Sequence, residues 1–125
     1  MTNEILEWSA GKIASQINTG AITATEVVQT FINQIETVNP VINAVCTLNE
    51  NALEEAKAVD ARRKAGGSAR DLEGVPFLVK DILQTKGIRT TFGSLLLEHD
   101  VPVSYTHLRA HETRHDLVCR LLLEK

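Results

Sequence analysis

The sequence predicts an α/β fold, and three observations support that prediction. Apolar residues recur at helical spacing along Val28, Ile32 and Ile35. A short apolar and partly β-branched run covers residues 41–48. A second apolar run, residues 75–79, is bounded by glycine on one side and by charged residues on the other. Because helical and strand patterns alternate along the chain, an α/β architecture is favoured over an all-helical one.

The first predicted helix covers residues 9–19. Ser9 is suited to cap its N-terminus, since a serine hydroxyl can accept a hydrogen bond from a free amide of the first turn. Gly20 stands where a helix needs a residue that tolerates a left-handed backbone. Both ends of this helix are therefore predicted from local chemistry.

The second predicted helix covers residues 23–38 and has the strongest start signal in the chain. Thr23 and Glu26 have the spacing of a capping box, in which each side chain binds the backbone amide of the other residue. Pro40 is expected to end the helix, because the residue before a proline is disfavoured in the helical region.

The remaining predicted elements are a strand over 41–48, a helix over 49–65 and a strand over 75–79. Gly66 and Gly67 predict a break between the third helix and the second strand. Pro76 cannot donate a hydrogen bond to a sheet, so we expect it at the start or the edge of its strand.

Composition and charge exclude several functional classes. The chain has 125 residues, which limits it to one domain or a part of one, and its formal net charge of −3 gives no reason to expect nucleic acid as a direct partner. No apolar run reaches the roughly 18 residues of a membrane span, and no secretory signal is recognisable. Cys46 and Cys119 show no disulfide pattern, so a cytoplasmic location is expected.

Lys80 is the candidate catalytic residue. A lysine at the end of an apolar strand is most often an exposed side chain. A lysine that is held partly buried instead loses its proton more readily and can accept one from a hydroxyl group. Asp81 follows directly, and whether it favours the charged form of the lysine depends on where its carboxylate lies.

Several stretches of the chain resemble the amidase-signature family. Leu72–Asp81 is similar to the family's Leu-x-Gly-hydrophobic-Pro-x-x-x-Lys-Asp segment, and Gly87–Ser94 is similar to its Gly-x-x-Thr-Thr-x-Gly-Ser continuation. Upstream, Ile35–Ala44 resembles the Ile-Glu-x-x-Asn-Pro…Asn-Ala stretch, and Ala56 with Asp60 fits the Ala-x-x-x-Asp that follows. The resemblance implies that residues 1–102 are the opening helices and first strands of the family's mixed-sheet fold, which is incomplete here.

The resemblance also implies a chemistry. The family cleaves amide C–N bonds with a Ser–cis-Ser–Lys triad, and Lys80 is the one triad member that matches a position in this chain. Both serines belong to a Gly/Ser-rich segment that the sequence does not contain. Ser94 belongs to the family's earlier Gly-Ser pair, so we interpret it as a turn residue. The chain by itself is therefore expected to be inactive, and its strands are expected to lack sheet partners.

The resemblance implies a small-molecule amide as substrate and no cofactor. One alternative within the family is the glutamine-hydrolysing amidase subunit of a tRNA-dependent amidotransferase. The partners that follow are a second copy of the chain, as in a homo-oligomer, or the other amidotransferase subunits.

Residues 103–125 form a tail of different character, with three of the four histidines. His111 and His115 match the His-Glu-x-x-His pattern of zinc proteases, and His107 continues the spacing, so a histidine-rich metal-binding module is the alternative from another class. A catalytic zinc needs a third protein ligand, and the pattern is short enough to arise by chance. The tail resembles a translated sequencing-adapter segment, so we predict no metal site and treat the tail as unrelated to residues 1–102. As a protein segment, its apolar residues would fit one face of a helix: Leu117, Val118, Leu121 and Leu122.

Overall fold

The architecture is a mixed α/β arrangement, as predicted. The computed structural model describes residues 2–68, 70–103 and 120–124. In chain order the elements are α1 (Thr2–Ile5), α2 (Ala10–Thr19), α3 (Ala24–Ile42), β1 (Val45–Leu48), α4 (Ala52–Lys64), β2 (Phe77–Lys80), a 3-10 helix (Leu95–Leu97) and β3 (Arg120–Glu124).

The three strands form one sheet in the order β1-β3-β2. β3 runs antiparallel to β1 and parallel to β2. The expectation that the first two strands lack partners is therefore wrong, because each of them pairs with Arg120–Glu124. The helix expected in the tail is also wrong at Leu121 and Leu122, since both residues lie in this strand, whereas Leu117 and Val118 lie outside the described residues.

The caps at both ends of α2 and at the start of α3 match the sequence signals. Ser9 accepts a hydrogen bond from the Lys12 amide at 3.2 Å, and Gly20 ends α2 with a φ of 76°. Thr23 and Glu26 form both bonds of the capping box. Hydrogen bonds from the backbone amide and the hydroxyl of Thr23 hold the pKa of Glu26 below its ordinary value, so this carboxylate is ionised at neutral pH.

Pro40 does not end α3, and the predicted boundary at residue 38 is wrong. A proline removes one N–H donor, but Pro40 lies in the last turn, where the carbonyl that loses its donor belongs to the exposed Glu36 and is open to water. Asn43 then closes the helix with a left-handed backbone (φ 49°), and its amide donates to the Asn39 carbonyl at 2.7 Å.

The strand predicted from residue 41 begins only at Val45, and the Asn39 side chain accounts for that start. Its amide group donates to the Val45 carbonyl at 2.9 Å, and its oxygen accepts from the Val45 amide at 2.8 Å. Asn39 thus occupies both backbone hydrogen-bonding groups of the first strand residue. Residues 41 and 42 belong to the helix, and the two residues after them make the turn into β1.

Asp60 caps α3 from the neighbouring helix. Its carboxylate accepts the amides of Ala24 and Thr25 at 2.8 and 3.0 Å, and the Thr25 hydroxyl at 2.6 Å. These amides belong to the first turn of α3, where no carbonyl of the same helix is available to them. The aspartate of the Ala-x-x-x-Asp stretch therefore has a structural role in joining α4 to α3.

We expect Asp60→Ala to lower the free energy of unfolding by about 2–3 kcal/mol, because three hydrogen bonds to one carboxylate are lost. Urea unfolding of the 125-residue chain, followed by circular dichroism, measures the loss. Asp71→Ala is the matched control, since Asp71 is exposed and the substitution removes the same charge. Equal losses in the two variants would contradict the capping role.

The hydrophobic core lies where α2, α3 and α4 meet. Its fully buried side chains include Ile17, Val27 and Val28, and Val75 joins them just before β2. Gly74 passes directly over this core with a φ of +82°. A Cβ atom at Gly74 would lie 2.8 Å from the Ala24 Cβ atom, so glycine is required there both by backbone conformation and by space.

A buried ion pair fixes the chain just before Gly74. Glu73 has a side chain that is nearly inaccessible, and Arg62 of α4 donates to both of its carboxylate oxygens. A two-point contact between guanidinium and carboxylate sets position as well as distance. Since Glu73 stands close before β2, this contact helps to determine where the strand begins on the helical layer.

Candidate active site

Lys80 is the last residue of β2, and the chain turns immediately after it. The Leu83 amide donates to the Lys80 carbonyl at 2.9 Å, which closes a tight turn. The Lys80 side chain is exposed among the residues that the structure describes. Apolar neighbours in sequence are exposed too, with Leu78 and Ile82 each 52% accessible. The lysine thus stands at a strand end on a partly apolar surface.

Asp81, the next residue in this turn, is buried. It is 3% accessible, and one carboxylate oxygen accepts the Thr91 amide at 2.7 Å while the other accepts the Thr91 hydroxyl. The sequence left open where the Asp81 side chain points, and the structure shows that it points into the loop of Gly87–Ser94. These contacts join the Leu72–Asp81 segment to the Gly87–Ser94 segment.

The loop around Thr91 is held by further bonds to the same turn. The Phe92 amide donates to the Asp81 carbonyl at 3.0 Å, and the Gly93 amide donates to the Thr91 hydroxyl at 3.2 Å. Ser94 caps the 3-10 helix, where its hydroxyl accepts the Leu96 amide at 3.3 Å. This bond agrees with the interpretation of Ser94 as a turn residue.

Phe92 has an unusual backbone. Its φ of 54° is in the left-handed region, which side-chain-bearing residues seldom adopt. The conformation turns the Phe92 amide onto Asp81, and the 41% accessible ring lies at the surface. Strained residues of this kind persist where surrounding contacts hold them, and they concentrate at functional sites.

Arg89 ties the loop to β1. Its guanidinium donates to the Cys46 carbonyl at 2.8 Å, to the Thr47 hydroxyl at 3.2 Å and to the Glu98 carbonyl at 2.8 Å. Because it donates to three acceptors, the Arg89 side chain links β1 to the loop that contains Glu98. The arginine of the Gly-Ile-Arg-Thr-Thr stretch thus contributes to the frame of the site.

The metal-binding alternative finds no support in residues 2–68, 70–103 and 120–124, where no group of three or more histidine, cysteine, aspartate or glutamate side chains could hold an ion. His107, His111 and His115, on which that alternative depends, lie outside the described residues. Across the same part of the chain, every helix is too short or too polar to span a bilayer.

The sequence predicted Lys80 as the catalytic residue but gave no prediction of the residues that hold its turn. The sequence indicated only that the charge of Asp81 is next to Lys80, and that Thr91 and Arg89 belong to a family-like motif. The available signal was that Lys-Asp and Thr-Thr occur in a fixed order in one family pattern, which is a hint that the two segments lie together.

Comparison with protein-family models identifies the amidase family, which matches residues 26–109. Among curated proteins, a glutamyl-tRNA(Gln) amidotransferase subunit from Bdellovibrio bacteriovorus is 45% identical over 94 residues, which are 75% of this chain and 19% of the relative. The corresponding protein of Streptomyces coelicolor is 39% identical over 101 residues, or 80% of this chain and 20% of the relative.

Solved amidase structures have the same fold. The peptide amidase of Stenotrophomonas maltophilia superimposes with a TM-score of 0.85 at 26% identity, covering 95% of this chain and 25% of that enzyme. A bacterial aryl acylamidase of the amidase-signature family gives a TM-score of 0.82 at 26% identity, with 94% and 25% covered. The chain thus spans about a fifth to a quarter of the length of these proteins.

The fold class inferred from motif resemblance is confirmed by these comparisons. The family match covers most of the described residues, including β2, the Lys80 turn and the Thr91 loop. The chain therefore belongs to the amidase-signature family.

Proposed function

We propose that this chain is the opening part of an amidase that hydrolyses amide C–N bonds, with Lys80 as the proton acceptor of a Ser–cis-Ser–Lys triad. The observation that carries the proposal is the position of Lys80 at the end of β2, in a turn whose next residue is buried and bonded to the Thr91 loop. A lysine fixed in this way can take part in acid–base chemistry at a defined point.

In this mechanism the nucleophilic serine attacks the amide carbonyl carbon, and its proton passes to the bridging serine. The bridging serine gives its own proton to the side-chain amine of Lys80. The C–N bond then breaks, the leaving nitrogen takes a proton back from the lysine by the same route, and water releases the acyl group. Backbone amides near the serine loop would stabilise the oxyanion.

The chain supplies one of these three residues, so we propose that residues 1–102 act as part of a longer domain and hydrolyse nothing alone. Exposed apolar side chains in β2, in the turn after it and from the Thr91 loop into the 3-10 helix support this view, since they give the remaining part of such a domain a surface to cover: Leu78, Ile82, Phe92, Leu95 and Leu96. We further propose that residues 103–125 have a different origin from residues 1–102, although Arg120–Glu124 supplies the middle strand of the sheet, and that the protein is cytoplasmic.

Glutamine is the substrate that the curated relatives favour. They are named as glutamyl-tRNA(Gln) amidotransferase subunits and share 39–45% identity with this chain. In this second candidate function the enzyme releases ammonia from glutamine for use by partner proteins. The peptide amidase and the aryl acylamidase, at lower identity, support the broader amidase function.

An exchange experiment tests both functions. Residues 5–102 replace the matching segment of the Bdellovibrio relative, and the exchanged enzyme is purified with the other subunits of that amidotransferase. Ammonia release from glutamine, and hydrolysis of a simple amide such as propionamide, are then measured. We expect glutamine hydrolysis within about tenfold of the unexchanged enzyme, since the transferred lysine matches the family position.

Hydrolysis of the simple amide without hydrolysis of glutamine would support the broader function and overturn the glutaminase. A folded exchanged enzyme that hydrolyses neither substrate would overturn both functions. If exchange of residues 5–102 prevents folding, exchange of residues 72–94 alone tests the same lysine in a smaller replacement.

A further inference from the structure

We propose that Asp81 and Thr91 form a positioning pair that fixes the direction of the Lys80 side chain during the reaction. The inference rests on the proposed function, because it assigns a role relative to the proposed catalytic lysine. Neither residue touches the reacting atoms in this scheme. They act through the backbone of the turn that carries Lys80.

Both carboxylate oxygens of Asp81 are engaged by Thr91, one by its amide and one by its hydroxyl. Both residues are buried, at 3% and 9% accessibility. Hydrogen bonds to a charged group in a buried place are stronger than ordinary ones, so the pair resists displacement.

Two backbone hydrogen bonds hold the turn that carries Lys80. The Asp81 carbonyl accepts the Phe92 amide at 3.0 Å, and the Lys80 carbonyl accepts the Leu83 amide at 2.9 Å. The carbonyls of two successive residues, Lys80 and Asp81, are therefore both held by hydrogen bonds, which fixes the backbone of the turn. A side chain that leaves a fixed backbone has fewer directions available, and misplacement of a catalytic group by about 1 Å can reduce a rate about 100-fold.

Thr90 is buried in the same loop as Thr91 but makes different contacts. This residue is at least as buried as Thr91, at 0% accessibility, and its hydroxyl donates to the Ile88 carbonyl at 3.2 Å. It has no bond to Asp81 among those described. Both threonines are buried, but of the two only Thr91 has a described bond to Asp81. Comparing substitutions at Thr90 and Thr91 therefore distinguishes the effect of burial from the effect of contact with the turn that carries Lys80.

The test uses four variants of the active exchanged enzyme: Asp81→Asn, Thr91→Val, Thr91→Ser and Thr90→Val. Asparagine cannot accept hydrogen bonds at both of its side-chain ends, and valine removes the hydroxyl with little change in volume. We expect Asp81→Asn and Thr91→Val to lower kcat about 10- to 100-fold with KM nearly unchanged. Thr91→Ser keeps the hydroxyl and should keep kcat.

Thr90→Val is expected to lower the melting temperature without the drop in kcat. Equal kcat losses in Thr90→Val and Thr91→Val at matched melting temperatures would overturn the positioning role, as would unchanged kcat in Asp81→Asn. Those results leave the proposed function intact, provided that the unmodified exchanged enzyme is active. An inactive but folded exchanged enzyme removes the proposed function and this inference together. If Thr91→Val fails to fold, the comparison of Asp81→Asn with Thr91→Ser decides.

Discussion

Lys80→Ala in the exchanged enzyme is expected to lower kcat by about 10²- to 10⁴-fold, the range that a positioned general base contributes. The reason is that no other group of this segment can take the proton of the bridging serine in the proposed mechanism. Stability should change little, because the Lys80 side chain is exposed in the structure and leaves no cavity when it is truncated.

Ammonia release under saturating glutamine measures the effect, and thermal unfolding shows whether the variant is folded. Lys86→Ala is the matched control, since Lys86 is also an exposed lysine, six residues further along the chain. We expect it to keep full activity. If Lys80→Ala and Lys86→Ala have the same activity, the proton acceptor lies elsewhere and the proposed mechanism is wrong.

Gly74→Ala is expected to destabilise the chain by about 2–5 kcal/mol, the largest effect on folding that we predict. A left-handed backbone costs about 1–2 kcal/mol for a residue with a Cβ atom. The new methyl group would also lie 2.8 Å from the Ala24 Cβ atom and 3.1 Å from the Ile17 side chain, and overpacking of this kind costs about 1–3 kcal/mol.

Gly87→Ala separates the two contributions. Gly87 has a similar φ of +77°, and a Cβ atom there would meet no atom within 4 Å. Urea unfolding of both variants of the 125-residue chain should show the smaller loss for Gly87→Ala. If the two losses are equal, contact with the core contributes nothing at Gly74, and the packing of β2 on the helices would need revision.

Local signals predicted the helices well, because caps involve residues three or four apart. The Thr23–Glu26 box and the Gly20 stop depend on neighbours that the sequence displays side by side. The end of α3 was missed because Pro40 lies in the last turn, where the carbonyl that loses its donor is open to water, and Asn43 closes the helix beyond it. The start of β1 was missed because it depends on Asn39 binding Val45 across a turn.

The candidate site was predicted only in part for a similar reason. A motif shows that Lys80 and Asp81 are adjacent, but adjacency does not reveal that the aspartate is buried against a threonine ten residues further along the chain. Asp60 is a second case, since its motif position gave no sign that it caps another helix. Contacts between distant segments need the fold, and these contacts give both aspartates their roles.

The strand order has a consequence for hydrogen exchange. In the part of the chain that the structure describes, β3 lies between β1 and β2 in the sheet, whereas α2, α3 and α4 pack on one another without it. An opening that removes β3 would therefore expose the amides of both other strands while the helical layer stays closed. The backbone amides should then divide into two cooperative units, in which the three strands exchange together and sooner than the buried turns of the helices.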